Sequence, residues 1–145
     1  LPYSAKEEIP NELIMTMFNI TINGGGLGLA APQVGINKRL IVLLNPLDRM
    51  GTHIINPRFT PLSNDMEEDV EGCLSVPGIK MTKKRYSHIL VDGRLADGKQ
   101  ISFEAKGILA RVVQHEIDHL DGKLIIDDVN VIERLGIERD MKETE

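Results

Sequence analysis

The chain has 145 residues, of which 41% are hydrophobic and 27% charged, with a formal net charge of −5. That is the length of one domain with a real core, and the acidic balance excludes an electrostatic nucleic-acid binder, since Lys83-Lys84-Arg85 is the main basic cluster. No apolar run reaches membrane-spanning length, and a single cysteine, Cys73, rules out an internal disulfide scaffold.

Residues 1–9 carry no clear pattern, and the start at Leu1 without a visible leader reads as a processed or trimmed form. Pro10 fits a first helical turn, and Leu13, Ile14, Met17 and Phe18 form one apolar stripe, so the pattern predicts a helix over about 10–20 that packs on the core. Asn23-Gly24-Gly25-Gly26 breaks it. Gly26 to Ala31 formally matches G-x-G-x-x-A, but a helix precedes it, and Pro32 and Gly35 oppose a helix behind it, so a dinucleotide site is rejected. The alternative is an extended backbone that needs glycine so that a ligand can approach closely. Gln33, on that apolar loop, needs a polar partner.

Arg39 to Leu44 reads as a buried strand, and residues 53–56 and 58–62 as further short strands. The acidic run 64–71 reads as a solvated loop. Arg85 to Val91 and residues 99–105 read as a hairpin with Asp97-Gly98 at the turn. The main helix is expected at 107–120, opened by Gly107 and closed by Asp121-Gly122. A strand from Lys123 to Ile126 and a helix from Val131 to Leu135 follow, and the last eight residues read as frayed. The expected fold class is α+β, with antiparallel sheets packed around a central metal-binding helix in one domain spanning 1–145.

The chemistry concentrates at Gln114-His115-Glu116-Ile117-Asp118-His119-Leu120. On a helix, H-E-x-x-H puts both imidazoles on one face, one turn apart, at a spacing that suits one metal ion. Glu116 is then placed to take a proton from an acidified water rather than to bind the ion. The plainer reading is two histidines that are surface or satisfied core residues. A catalytic site of this kind needs a third protein ligand. The H-E-x-x-H-x-x-G-x-x-H pattern is matched as far as Gly122 but ends on Ile125 where a histidine belongs. Glu133 is a formal downstream carboxylate, close after the helix. Cys73 offers a soft thiolate, and two imidazoles with one thiolate leave one position open. His53 and His88 lack ligand-like neighbours and read as structural or surface residues. Glu71 could orient a loop or position Gly72, and Asp118 faces solvent or a basic group.

Three stretches together resemble the peptide deformylase family: Gly26-Leu27-Gly28-Leu29-Ala30-Ala31-Pro32-Gln33-Val34-Gly35, Glu71-Gly72-Cys73-Leu74-Ser75, and Gln114 to His119. They are the family's three signature motifs, in order, and the likeness runs from about residue 10 to about 128. The resemblance implies removal of the N-formyl group from the formyl-methionine of newly made polypeptides, releasing formate. It implies metal binding by Cys73, His115 and His119, with Fe(II) as the characteristic ion and Zn, Ni or Co able to replace it. Glu116 would be general base and then acid, and the Gln33 amide and the Leu74 N–H would hold the oxyanion. Gly28 and Gly72 would pair with the peptide backbone, beside Gly26. Arg85 would touch the peptide further along, and Leu27, Ile108 and Val112 would line the methionine pocket.

The short C-terminal end resembles compact members from organelles or phages, which puts a ribosome contact in doubt. The partners expected are N-formyl-methionyl nascent peptides, with no nucleic acid and no membrane, and a monomer. The compartment expected is the cytoplasm of a bacterium or phage-infected host, or an organellar stroma or matrix. Two other classes compete: a zinc endopeptidase, which would cleave internal bonds without releasing formate, and a non-enzymatic metal- or nascent-chain-binding module, against which Glu116 and Gln33 stand.

Overall fold

The computed structural model describes residues 9–48, 50–73 and 76–122, with backbone alone for 72–81. The strand and helix expected beyond Gly122 therefore lie outside the described residues, as do the last eight residues and Leu74. Helix α1 spans Asn11–Asn23, and Pro10 stands just before it as the N-cap, in extended conformation. Ile14 and Met17 are buried, with Leu13 and Phe18 packed beside them, so the apolar stripe is core as expected. The helix runs on past residue 20 and ends where the Gly24 N–H donates to Ile20 O.

Strand β1 (Gly28–Ala30) leads into a single 3-10 turn, Ala31–Val34, closed by Gly35 in the left-handed region at φ 84°. Proline at its start and glycine at its end limit it to one turn. That is strand then 3-10 turn, not the strand-to-helix junction of a dinucleotide fold. Strand β2 (Leu40–Leu44) is buried throughout, and its alternation divides the core in two. Ile41 and Leu43 join Ala30, Ile54, Ile89, Val91 and Val113 on one face. Leu40 and Val42 join Ile14, Met17 and Leu29 on the other, under α1. A strand covered on both faces has to read as a continuous apolar run, which is why its sequence shows no polar alternation.

Strand β3 (Gly51–Pro61) is one long strand where the sequence suggested two, and its register shifts between Ile55 and Arg58. Asn56 sits at that irregularity with φ 52°, and its N–H donates to Arg39 O at 2.8 Å. The proline and the bulge mimic a break without ending the strand. Strands β6 (His88–Arg94) and β7 (Gln100–Lys106) form the expected hairpin, with Gly98 at φ 91° and the Asp97 carboxylate accepting from the Lys99 N–H. Together these strands make a five-stranded sheet in the order β1-β2-β3-β6-β7, antiparallel throughout.

The acidic run is a correction. It is not a loop: strand β4 covers Met66–Cys73 and pairs with β5, Val76–Tyr86, in a separate two-stranded sheet. The register sets Glu67 opposite Arg85, Glu68 opposite Lys84 and Asp69 opposite Lys83. Opposite charges directly across a ladder favour pairing, so the acidic run and the basic cluster are the two halves of one hairpin. Arg85 accordingly belongs to β5 and not to the β6–β7 hairpin. Helix α2 (Gly107–Leu120) matches its expected bounds, and Gly122, at φ 79°, closes it with its N–H on His119 O. It packs across β1, β2, β5, β6 and β7, so it is the element that joins the small sheet to the large one.

Candidate active site

Helix α2 buries polar residues in its middle. His115, Glu116 and His119 are 7%, 4% and 8% exposed, and their ligand atoms lie within 4.8 Å of one another. The Nε2 atoms of His115 and His119 are 3.1 Å apart, with the rings crossed edge to face. Two nitrogens bound to one ion at ~2.0–2.1 Å in tetrahedral array would stand ~3.3 Å apart, so the pair already has the separation of two ligands of one ion.

The other side of His115 is fixed by a carboxylate. His115 Nδ1 is 2.8 Å from Glu71 Oε1, which assigns the proton of the neutral ring to Nδ1 and leaves Nε2 with its lone pair. Glu71 is itself held by Arg85, whose Nε and Nη2 donate to its two oxygens at 2.9 and 3.0 Å, and by Arg111 Nη1 at 2.6 Å. Burial works against its charge, but the hydrogen bonds from His115 and Arg85 and the Arg85 charge outweigh that and hold its carboxyl at about 2. Arg85 also donates to Asp118, and these two carboxylates raise its pKa against the cost of burial.

Gly28 brings β1 against the same helix. A Cβ at this position would stand 2.8 Å from Val112 Cγ1 and 2.9 Å from both Cγ and Oε2 of Glu116. The glycine thus permits close approach, and what approaches here is the Glu116 side chain, where the sequence suggested a ligand. Among the described residues, β1 is the first strand of the sheet order and pairs with β2 on one side only. Gln33 follows on the 3-10 turn, where its Oε1 accepts from the Ala30 N–H at 2.8 Å, turning the NH2 end of the amide away from Ala30.

The structure therefore brings together His115, Glu116, His119, Gly28 and Val112. Ile108 lies two turns before Glu116 on the helix and is 56% exposed, while Gly26 and Leu27 lead into β1 half-buried. Gly72 and the backbone of Cys73 end β4, two residues beyond Glu71, and the Cys73 side chain and Leu74 lie outside the described residues. Arg85 is the residue that does not fit its expected place. It is 6% exposed, with its guanidinium engaged by Glu71 and Asp118, so it supports the histidine instead of facing a peptide. His53 and His88 stand elsewhere as expected: His53 Nε2 accepts from the Ala96 N–H, and His88 pairs with Glu104.

Sequence reasoning did not identify the Glu71 carboxylate as the partner of His115, and it missed Arg111. The signal was present as spacing: Arg111, Gln114, His115 and Asp118 recur on one face of a helix whose other faces are largely apolar.

An antiparallel α+β frame that buries an H-E-x-x-H helix with converging imidazoles, a carboxylate behind one and a glutamate between them, defines a metallohydrolase-type centre. The family model for polypeptide deformylase matches residues 3–135. A peptide deformylase of Thermodesulfovibrio yellowstonii is 45% identical over 126 residues, covering 85% of this chain and 76% of that one. The peptide deformylase structure from Legionella pneumophila superposes with a TM-score of 0.90 at 34% identity, covering 99% and 85% of the two chains. A Met-Ala-Ser-bound peptide deformylase from Acinetobacter baumannii superposes at 0.80, with 34% identity and 88% and 87% coverage. The chain belongs to the polypeptide deformylase family. Its activity is that of the family: hydrolysis of the formamide at an N-terminal formyl-methionine of a new polypeptide, releasing formate. No helix among the described residues is long and apolar enough to cross a membrane.

Proposed function

We propose that the deformylation centre of this chain consists of His115, His119 and Cys73 as metal ligands, Glu116 as the proton carrier, and Gln33 with the Leu74 N–H as the oxyanion donors. The observation that carries the reading is the 3.1 Å approach of the two Nε2 atoms with His115 Nδ1 tied to Glu71. Two imidazoles and a thiolate form a soft donor set, and Fe(II) is the ion assigned, with Zn, Ni and Co as substitutes. Such an ion, when bound, supplies a Lewis acid that makes water a nucleophile near neutral pH and polarises a carbonyl.

The residues of the chain do the rest. The Glu116 carboxylate accepts a proton from the attacking water. As the formyl carbon becomes tetrahedral, charge gathers on its oxygen, and the Gln33 Nε2–H and Leu74 N–H donate to it. Losing one donor of this type costs roughly 3–4 kcal/mol in comparable sites. Glu116 then delivers its proton to the methionine nitrogen, the C–N bond breaks, and formate and a free amine leave. The edge of β1 at Gly28, with Gly26 and the Gly72 backbone, is suited to hold the peptide as an added strand. Leu27, Ile108 and Val112 line the side that takes methionine. The substrate class is a formyl-methionyl peptide, in keeping with the Met-Ala-Ser complex of the Acinetobacter relative.

The test uses anaerobic protein loaded with Fe(II) or Ni(II), with N-formyl-Met-Ala-Ser as substrate. One ion per chain and rapid formate release by the wild type, with loss of both in Cys73→Ala, is the expected result. A Cys73→Ala chain that keeps one ion and full turnover would remove the thiolate from the ligand set.

A further inference from the structure

Among the described residues, the β4–β5 sheet is not hydrogen-bonded into the large sheet as a strand neighbour. It is tied to the rest of the fold by side chains from α2, and these occupy one helical face. Gln114 grips the root of the hairpin, with Oε1 accepting from the Tyr86 N–H and Nε2 donating to Tyr86 O, at 2.9 and 2.8 Å. Asp118 accepts from Arg85. His115 meets Glu71. Arg111, one turn before His115, reaches further than any of these. Its Nη1 donates to Glu71 Oε2 at 2.6 Å and to the Lys83 carbonyl on β5 at 2.7 Å, and its Nη2 donates to the Glu67 carbonyl on β4. One guanidinium therefore holds the main chain of both strands and the carboxylate that orients His115. Its side chain is 11% exposed, so these bonds compete little with water.

Position along the hairpin gives this clamp its consequence. Tyr86 lies opposite Met66 at the root, Lys83 lies opposite Asp69, and Glu71 stands two residues before Cys73. Among the described residues, the cluster of Arg111, Arg85 and His115 on Glu71 is the tie nearest in sequence to the end of β4. We infer that Arg111 is a positioning residue for deformylation: it docks the β4–β5 hairpin onto α2 and so sets the distance between the Cys73 end of β4 and the histidines of the helix. This rests on the reading of Cys73, His115 and His119 as ligands. The bond Arg111 makes to Glu71 also keeps that carboxylate aimed at His115 Nδ1 with both oxygens engaged.

The experiment compares wild type, Arg111→Met and Arg111→Lys in two measurements. The first is hydrogen exchange of the β4 and β5 amides in the metal-free chain. The second is the rate at which a chelator removes Co(II) from the loaded chain, followed by its ligand-field absorption. Arg111→Met should speed exchange across residues 67–72 and 80–84 while β2 and β3 keep wild-type protection, and should release Co(II) about tenfold faster or more, the usual scale for groups behind metal ligands. Arg111→Lys keeps the charge, but a point charge cannot hold two carbonyls and a carboxylate in that fork, so its Co(II) release should stay close to that of Arg111→Met. A merely stabilising role would lower protection everywhere and leave the spectrum and the release rate unchanged. That pattern, or wild-type exchange and release in both variants, overturns the inference. A wild type that binds no Co(II) overturns the ligand reading beneath it, an outcome distinguished because the wild type itself fails.

Discussion

Replacing Gly28 by alanine tests how tightly the general base is seated. The added Cβ would stand 2.8 Å from Val112 Cγ1 and 2.9 Å from Glu116 Cγ and Oε2. Ordinary carbon contacts are ~3.5–4.0 Å, so the helix face or the strand has to yield by at least ~0.6 Å. Helix α2 cannot retreat freely, because Arg39 pairs with Asp121 at its end and Arg111 and Gln114 tie it to the hairpin. The backbone at Gly28 has no left-handed φ, so the methyl group is the whole perturbation. Overpacking of this kind costs about 1–3 kcal/mol, partly offset by the ~0.4–1 kcal/mol that alanine gains over glycine through the unfolded chain. The net loss of stability should be on the order of 1–2 kcal/mol. Turnover should suffer more, because a reacting group displaced by ~1 Å can cost about 100-fold. The assay is formate release by metal-replete protein beside denaturant unfolding and metal content. A Gly28→Ala chain with one ion, normal stability and wild-type turnover would show that Glu116 is not held against β1.

Two further outcomes follow from the ion pairs and the histidines. Arg85→Ala should lower unfolding free energy by about 1–3 kcal/mol, because Glu71 loses one of its two guanidinium partners while Arg111 and His115 stay on it, and the part-exposed Asp118 can turn to water. A variant of unchanged stability with only a raised KM would return Arg85 to the peptide. His53 gives the pH dependence: it is neutral where it accepts from the Ala96 N–H, and burial lowers its pKa, opposed by nearby Asp97. The unfolded chain therefore takes up the proton first, so metal-free protein should lose stability as pH falls below about 6.5. Thermal melts of wild type and His53→Gln between pH 7.5 and 5 should show a shallower slope for the variant, and identical slopes would exclude His53 as the source.

The helices and the central strand were legible in the residues because each obeys one period. The α1 stripe, the all-apolar β2 and the Gly107-to-Gly122 bounds of α2 are local signals, and each element forms there, with α1 running three residues past its expected end to Asn23. The acidic run misled because its meaning is not local. Residues 66–70 do face water, as a solvated loop would, but their pairing depends on Lys83 and Lys84 across the turn, and only the register reveals it. Glu71 ends the same run and turns inward, so composition groups it with its exposed neighbours while the structure sets it behind His115. Arg85 illustrates the limit of carrying roles over from a family likeness: a charged residue near a signature motif is as easily a support for a ligand as a contact to substrate, and burial separates the two. His115, Glu116 and His119 needed no tertiary information, because one helical turn already places them.

The central claim is that Glu116 moves the proton while other groups hold the ion. The direct measurement is single-turnover formate release from N-formyl-Met-Ala-Ser by wild type and Glu116→Gln, each with its metal content determined. The account predicts one ion per chain in both and a rate in Glu116→Gln lower by at least ~100-fold, the contribution expected of a positioned acid–base group. A metal-replete Glu116→Gln chain that releases formate at the wild-type rate would contradict it.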